Sequence, residues 1–309
     1  ILKKKQSNKL KVKLSNNIFD IFFFKPEIIH LHGCWRPKLF IIFLLAKIRF
    51  IKVVISPHGM IDPLSFAQKK IKKDLAWFLY QKLIFLYSNL IIVNSKFEKK
   101  NLLKKLDFSK NIEIIKHGVD IPKKKINVRK NNKLSFVFFS RIHPSKNLIE
   151  LVRIWKRDDF FDYTLDIYGE IDDVKYFENF KDEIKNSKNI NYKGKINNDL
   201  NLKLSKYDIF LHPSESENFG LVILEAMSCG LFPVVNKKLD WKILSKKGLG
   251  HSLNFTNRNL KKLISKLNKF KREIRNKRFK KKLKDFLIEN YNWNLIIEDY
   301  HRNYNKLIY

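Results

Sequence analysis

Acidic residues, glycines, cysteines and long apolar runs are all scarce in this chain. Against 64 Lys and Arg stand only 30 Asp and Glu, a formal charge of +34 over 309 residues. Such a field favours polyanions, so nucleic acid, an anionic membrane face and phosphorylated substrates are the partner classes it admits. An A/T-rich coding bias toward Lys, Asn, Ile and Phe accounts for part of that charge. Nine glycines occur and none precedes Gly33, so no glycine-rich loop lies in the first 32 residues. The two cysteines, Cys34 and Cys229, have no metal-ligand spacing, which makes a reducing cytoplasm the simpler setting. The longest apolar run, Leu39 to Ala46, is too short to cross a bilayer and reads as a buried helix. The opening ILKKKQSNKLKVK lacks the apolar core of a signal peptide, and a soluble or peripheral protein is expected.

What is present is enough apolar residue, 44%, to fill two cores. Strands are expected at Glu27 to Leu31, Val53 to Ile55, Leu90 to Val93 and Ile112 to Ile115. Helices are expected from Pro37, over Phe66 to Tyr87, and from a capping box at Ser95-Lys-Phe-Glu98 to Leu106. Residues 121–132, PKKKINVRKNNK, are basic and without periodicity and read as a linker. Further strands are expected at Leu134 to Phe139, Thr164 to Tyr168, Ile190 to Tyr192 and Tyr207 to Leu211. Alternation of this kind predicts parallel sheets with crossover helices, whose strand ends carry the ligand-facing loops. His32, His58 and His117 each fall just past a strand, although polar residues collect there in any such fold.

The stretch LHPSESENFGLVILEAMSCG, Leu211 to Gly230, carries the sharpest signal. A strand end, a polar turn and a helix stopped by Gly230 follow in order. Amides of Gly220, Leu221 and Val222 would sit at the helix N-terminus, where a phosphate is favoured, and Glu225 further along suits ribose hydroxyls. On spacing alone, Glu217 and Glu225 are better explained as solvated positions. Arg141 and Lys146 flank a turn after the strand at Leu134 to Phe139, where two cations could neutralise a diphosphate. Asp172 and Asp173 are adjacent carboxylates with nothing nearby to complete a metal set.

The whole string, Pro-Ser-x-x-Glu-Asn-Phe-Gly followed by Glu-Ala and Cys-Gly, resembles the E-x7-E signature of retaining glycosyltransferases of family 4. His30-Leu-His32-Gly33 with the following Trp35, Ser56 to Pro63, and His117-Gly-Val-Asp120 resemble other family motifs. So does Arg141 with Lys146-Asn147. The resemblance implies an α/β, GT-B fold: two Rossmann-like domains facing a cleft. The N-terminal one is incomplete, lacking its first strand and glycine-rich loop, which suggests a fragment. The implied boundaries are 1–120 for the acceptor-side domain, 121–132 for the linker, 133–288 for the nucleotide-sugar domain and 289–309 for a helix crossing back.

By the same resemblance, His58, Arg141, Lys146 and Glu217 are the catalytic group. Asn218, Phe219, Gly220, Leu221, Val222 and Glu225 hold the donor, with Gly194 in the loop beside the nucleotide base. His58 would face the transferred sugar. The cations would stabilise the leaving diphosphate, with retention by front-face displacement and no nucleophilic role for Glu217. No metal and no cofactor are implied. The implied partners are a nucleotide-sugar and a glycan or lipid-linked acceptor, with an anionic membrane surface as a further candidate, in cell-surface polysaccharide synthesis on the cytoplasmic side. In the basic helical stretch Arg258 to Phe286 the apolar positions Leu260, Leu263, Ile264, Leu267, Phe270 and Ile274 read as a core face and the Lys/Arg face as solvated, with a membrane-surface role as the alternative. Nucleic acid is not expected: no helix-turn-helix, zinc or RNP-like motif appears. A GT-B remnant that binds donor without transferring it is the other alternative.

Overall fold

The computed structural model describes residues 12–15, 17–106, 111–122, 133–196 and 200–309. The chain divides into two compact units, one of Ile1–Gly118 with Trp293–Tyr309, the other of Val119–Asn292. Of the residues read as a linker, 123–132 lie outside the described ones.

Unit 1 is built on four parallel strands, β1 (Ile28–His32), β2 (Lys52–Ser56), β3 (Leu90–Val93) and β4 (Ile112–Ile114), in the order β1-β2-β3-β4. Its two central strands are almost wholly apolar and buried, as strands covered on both faces must be. One face packs on the helices Pro37–Ile48 and Lys96–Leu106, through Phe43, Ala46, Leu102 and Leu106. The other is closed by the last helix, Trp293–Ile308, whose Trp293, Ile296, Ile297, Tyr300 and Tyr304 cover Val54, Leu90, Ile92 and Ile115. Gly118 permits this return: a Cβ there would lie 2.4 Å from Cδ2 of Trp293.

Three expectations for unit 1 need correction. A short helix forms at Asp20–Phe24, before the first expected strand, where no element is expected. The single helix expected over Phe66 to Tyr87 is broken where Lys69 takes a left-handed conformation, φ 55°. Helices Pro63–Ala67, Lys70–Ala76 and Lys82–Tyr87 result, the last two joined by a π-helical turn at Trp77–Gln81. Finally, the run Leu39 to Ala46 is helical but only partly buried, since Ile41 and Leu44 face outward while Phe43 and Ala46 face the sheet.

Unit 2 holds six parallel strands, β5 (Phe136–Phe139), β6 (Leu165–Tyr168), β7 (Ile190–Tyr192), β8 (Ile209–His212), β9 (Phe232–Asn236) and β10 (His251–Leu253). Their order is β10-β9-β8-β5-β6-β7. The chain therefore builds outward from β5 through β6 to β7, then crosses back to lay β8, β9 and β10 on the other side. On one face the helix Leu148–Trp155 buries Leu148, Leu151, Val152 and Trp155, the last edge-on to Phe136 with ring centroids 4.9 Å apart. The opposite face is covered by the helices Leu221–Ser228 and Lys277–Tyr291.

The basic stretch after Arg258 is three helices, Asn257–Lys269, Lys271–Arg275 and Lys277–Tyr291. Leu260, Leu263, Ile264, Leu267, Ile274 and Leu283 are all spent in the core, and Phe270 alone of the expected stripe is half exposed. Asp208, just before β8, anchors this segment through Arg275, at 2.7 Å.

Candidate active site

In an open parallel sheet, ligands bind beyond the carboxyl ends of the strands where the strand order reverses. In unit 2 that point lies between β5 and β8, so the loops after those two strands flank it. After β5 the chain runs through Ser140 to Asn147, with a tight 3-10 turn at Pro144–Lys146. His143 caps this turn, its Nδ1 accepting the Ser145 N–H at 3.1 Å. After β8 come Pro213 to Gly220. Ser214 ties the two loops together, its Oγ lying 3.0 Å from the Ser145 carbonyl. Asn236 at the end of β9 donates to the Pro213 carbonyl at 3.1 Å.

Lys146 and Glu217 meet across this point. The ammonium lies 2.6 Å from Oε1 of Glu217, with the two side chains 9% and 14% exposed. The same oxygen receives the ring Nε2 of His212 at 2.8 Å, from a histidine with no exposed surface. Burial alone would raise the Glu217 pKa. The hydrogen bond and charge of His212 and the charge of Lys146 outweigh it and hold the carboxyl at about 2. Glu217 is thus a fixed carboxylate, anchored through one oxygen.

The turn that follows is shaped for close backbone approach. Gly220 adopts φ +82°, and a Cβ there would meet Ile223 Cδ1 at 2.9 Å and Trp241 Nε1 at 3.0 Å. Trp241 in turn donates to the Phe219 carbonyl at 3.2 Å. The helix Leu221–Ser228 starts directly after this glycine. Glu225, on its last turn, is largely buried, and burial raises its pKa. Its carboxylate has no partner among the described residues.

Two expected site residues stand apart from the Lys146–Glu217 pair. Arg141 is mostly exposed and pairs with Asp172 at 2.6 Å, in the loop after β6. Asp173 instead caps the helix Val174–Ile184, accepting the Tyr176 N–H at 2.9 Å, so the two adjacent aspartates have separate tasks. Gly194, φ +74°, has open space around it, and its carbonyl accepts the Gly169 N–H at 3.0 Å.

Unit 1 gathers a second group at its own strand ends. His32 Nδ1 lies 2.8 Å from His58 Nε2, and His58 Nδ1 lies 3.2 Å from Asn94 Oδ1. His117 stacks on His58 with ring centroids 5.8 Å apart. The amide of Asn94 is oriented by donating to the Ile115 carbonyl at 2.9 Å, so its oxygen faces His58. His58 therefore donates from Nδ1, which leaves Nε2 to accept from His32 when the ring is neutral. Desolvation and the neighbouring His58 bring His32 and His117 down to about 4, so the cluster resists holding several protons at once.

Glu98 is buried and bonds backbone on both sides of this arrangement: Oε2 accepts the Asn94 N–H at 2.7 Å and Oε1 the Gly59 N–H at 2.5 Å. Sequence reasoning saw Glu98 only as a capping residue. The Ser95 Oγ does accept the Glu98 N–H at 3.0 Å, but the carboxylate also holds the loop of His58. His212 was missed altogether, and its one signal is a histidine closing an otherwise apolar strand. Among the described residues, no group of three or more His, Cys, Asp or Glu is arranged to hold a metal ion.

Two parallel sheets, one with an anion-suited turn at its switch point, define the chain as an α/β protein of the GT-B type. The model of the family Glycosyl transferases group 1 matches residues 119–286, and that of Glycosyltransferase Family 4 matches residues 7–123. The chain belongs to these glycosyltransferases. A 41.2 kDa protein of the cps region of Klebsiella pneumoniae, described as uncharacterized, is 29% identical over 76% of this chain and 67% of its own length. An uncharacterized glycosyltransferase of Methanocaldococcus jannaschii is 23% identical over 97% and 80%. Among solved structures, Anabaena HepE in complex with UDP and glucose superposes with a TM-score of 0.73. It covers 93% of this chain and 80% of that one at 16% identity, a likeness of fold.

Proposed function

We propose that the chain transfers a sugar from a nucleotide-sugar, with retention, to a hydroxyl of a glycan or lipid-linked acceptor in cell-surface polysaccharide synthesis. The observation that carries this is the pairing of Lys146 with Glu217 at the switch point, directly before the Gly220 turn and its helix. A cation, a fixed carboxylate and free helix amides within one loop pair suit a sugar attached to a diphosphate. UDP in the HepE structure supports a uridine donor, and the cps region of the Klebsiella relative supports a polysaccharide product.

In this assignment Lys146 and Arg141 stabilise charge on the departing diphosphate, Arg141 exchanging Asp172 for phosphate oxygens. Glu217 offers its second oxygen to donor-sugar hydroxyls, beside the Asn218, Phe219 and Gly220 backbone. The amides of Leu221 and Val222 face phosphate, Glu225 holds ribose, and the Gly194 loop lies by the base. His58 is the residue of unit 1 assigned to the transferred sugar. Fixed protein charge takes the place of a metal, and no cofactor takes part. Titration calorimetry with UDP-, GDP- and ADP-glucose tests the donor assignment, with Glu225→Ala and Arg141→Ala alongside. Binding of one nucleotide class that both substitutions weaken at least tenfold is the expected result; binding untouched by Glu225→Ala would sink it. Proton NMR of the anomeric signal of the product then reports retention or inversion.

A further inference from the structure

The chain has two Lys-rich helical regions, and they use their apolar residues in opposite ways. In the helices from Asn257 to Tyr291 the apolar stripe is buried in unit 2, and only Phe270 and Ile288, eighteen residues apart, are exposed among the large apolar side chains, so no apolar stripe is offered to lipid. In unit 1 the segment Lys70 to Tyr87 turns an apolar stripe outward. Ile71 is 85% exposed, Leu75 59%, Phe78 84% and Leu79 57%. Their spacing, i, i+4, i+7, i+8, is that of one helical face. Isolated exposed apolar residues need no explanation, but a stripe of four on one helix face does.

The neighbouring helix Pro37–Ile48 extends the surface. It lies against the Trp77–Gln81 turn, Phe40 and Tyr80 meeting with ring centroids 5.7 Å apart, and it exposes Ile41, Leu44 and Ile48 at i, i+3, i+7. Charge beside these stripes is mostly of one sign. Lys69, Lys70, Lys72, Lys73 and Lys82 stand against Asp74 alone between residues 69 and 82, and Lys38 and Arg49 belong to the second helix and its cap.

From this we infer that the outer face of Lys70–Tyr87 and Pro37–Ile48 is a membrane-docking surface for a bilayer containing anionic lipid. Phe78, Leu79 and Ile71 enter the interface while the lysines meet headgroups. A protein partner would match the apolar stripe as well; the excess of cations beside it, with Asp74 the one acidic residue between 69 and 82, is what selects lipid. This places the membrane-facing side of the proposed lipid-linked acceptor reading on unit 1, and it is read without donor or acceptor, so its failure is separable from failure of the transferase assignment.

The test is flotation of the full chain with vesicles of phosphatidylcholine alone or with 30% phosphatidylglycerol, with analytical ultracentrifugation of the free protein. The expected result is salt-sensitive flotation with the anionic vesicles only. Phe78→Ser with Leu79→Ser should lower it at least tenfold, and Lys69→Gln with Lys70→Gln and Lys72→Gln should do so at low salt. Those positions are exposed, so circular dichroism should be unchanged. Removing the same number of charges from unit 2, by Lys277→Gln, Lys281→Gln and Lys284→Gln, should leave flotation within threefold. The inference is overturned if the unit 2 variant abolishes flotation and the Phe78/Leu79 variant does not. Absence of flotation by the native chain overturns it too, as does a native dimer that the Phe78/Leu79 variant dissociates, which would assign the face to a second copy.

Discussion

Replacing Glu217 by Gln tests whether the switch-point pair is held as described. The carboxyl sits at about 2 in the fold against an ordinary value of 4.5. The difference of 2.5 units, at about 1.36 kcal/mol each, corresponds to roughly 3 kcal/mol of stability. A second route gives the same scale: removing one partner of a buried ion pair costs about 3–5 kcal/mol, because Lys146 is left charged and desolvated. The sign follows from the depressed value. Above about pH 4.5 the contribution is fully present. As pH falls from there through about 2, the unfolded chain takes up a proton that the folded one refuses, and the contribution disappears.

Hydrogen exchange in graded urea, followed on peptides spanning residues 205–230, isolates unit 2 from the rest of the chain. At pH 7 the Glu217→Gln protein should be less stable there by about 3 kcal/mol, and the gap should narrow by about 1.4 kcal/mol per pH unit well inside the acid window. Adding Lys146→Met should recover part of the loss, since the two residues act as a unit. A Glu217→Gln protein as stable as the native one at pH 7, or a gap that does not change between pH 7 and pH 3, would refute the account.

Other outcomes follow from single contacts. Gly220→Ala should cost about 1–2 kcal/mol for a left-handed non-glycine residue and weaken nucleotide-sugar binding, checked by thermal denaturation and calorimetry. At Gly169 a Cβ would lie 2.1 Å from the Ser140 carbonyl, so Gly169→Ala should destabilise unit 2 by about 2–3 kcal/mol in urea. Nitrogen-15 NMR of the ring should find the proton of neutral His58 on Nδ1, and Asn94→Leu should remove that preference while Asn94→Asp keeps it. Because His32 and His117 fall to about 4 from an ordinary 6.5, unit 1 should lose stability as pH drops from 6.5 through 4, and replacing both by Gln should flatten that slope.

Strand positions were legible because each is a short apolar run bounded by polar or glycine residues, and both sheets are covered on two faces. Lys146 and Glu217 could be placed on loops after strands, but not against each other, since 71 residues separate them and only the strand order brings β5 beside β8. His212 was invisible as a partner for the same reason that its strand was easy to see: a lone histidine at the end of Ile-Phe-Leu looks like the strand running out. Arg141 read as the companion of Lys146, yet Asp172 holds it, a pairing that depends on where the loop after β6 turns. Periodicity found helix over Phe66 to Tyr87 but not its break at Lys69, and it cannot say whether an apolar stripe has a partner. At Leu39 to Ala46 the expectation of a buried helix held only for the face carrying Phe43 and Ala46, and at Arg258 to Phe286 the core reading of the stripe proved right.

Unit 1 is written in two pieces, with the 174 residues of unit 2 set between Gly118 and Trp293. A ribosome therefore releases all of unit 2 before the helix that seals the sheet of unit 1 has been made. Until Trp293–Ile308 emerges, Val54, Leu90, Ile92 and Ile115 lack the cover they have in the finished fold. During synthesis the later unit can finish first, and the earlier one is a client for chaperones. Stop codons or proteolytic cuts just after Asn292 would spare every strand yet leave that sheet open to water, so such truncations should appear as aggregation and loss of yield rather than as a selective loss of nucleotide binding.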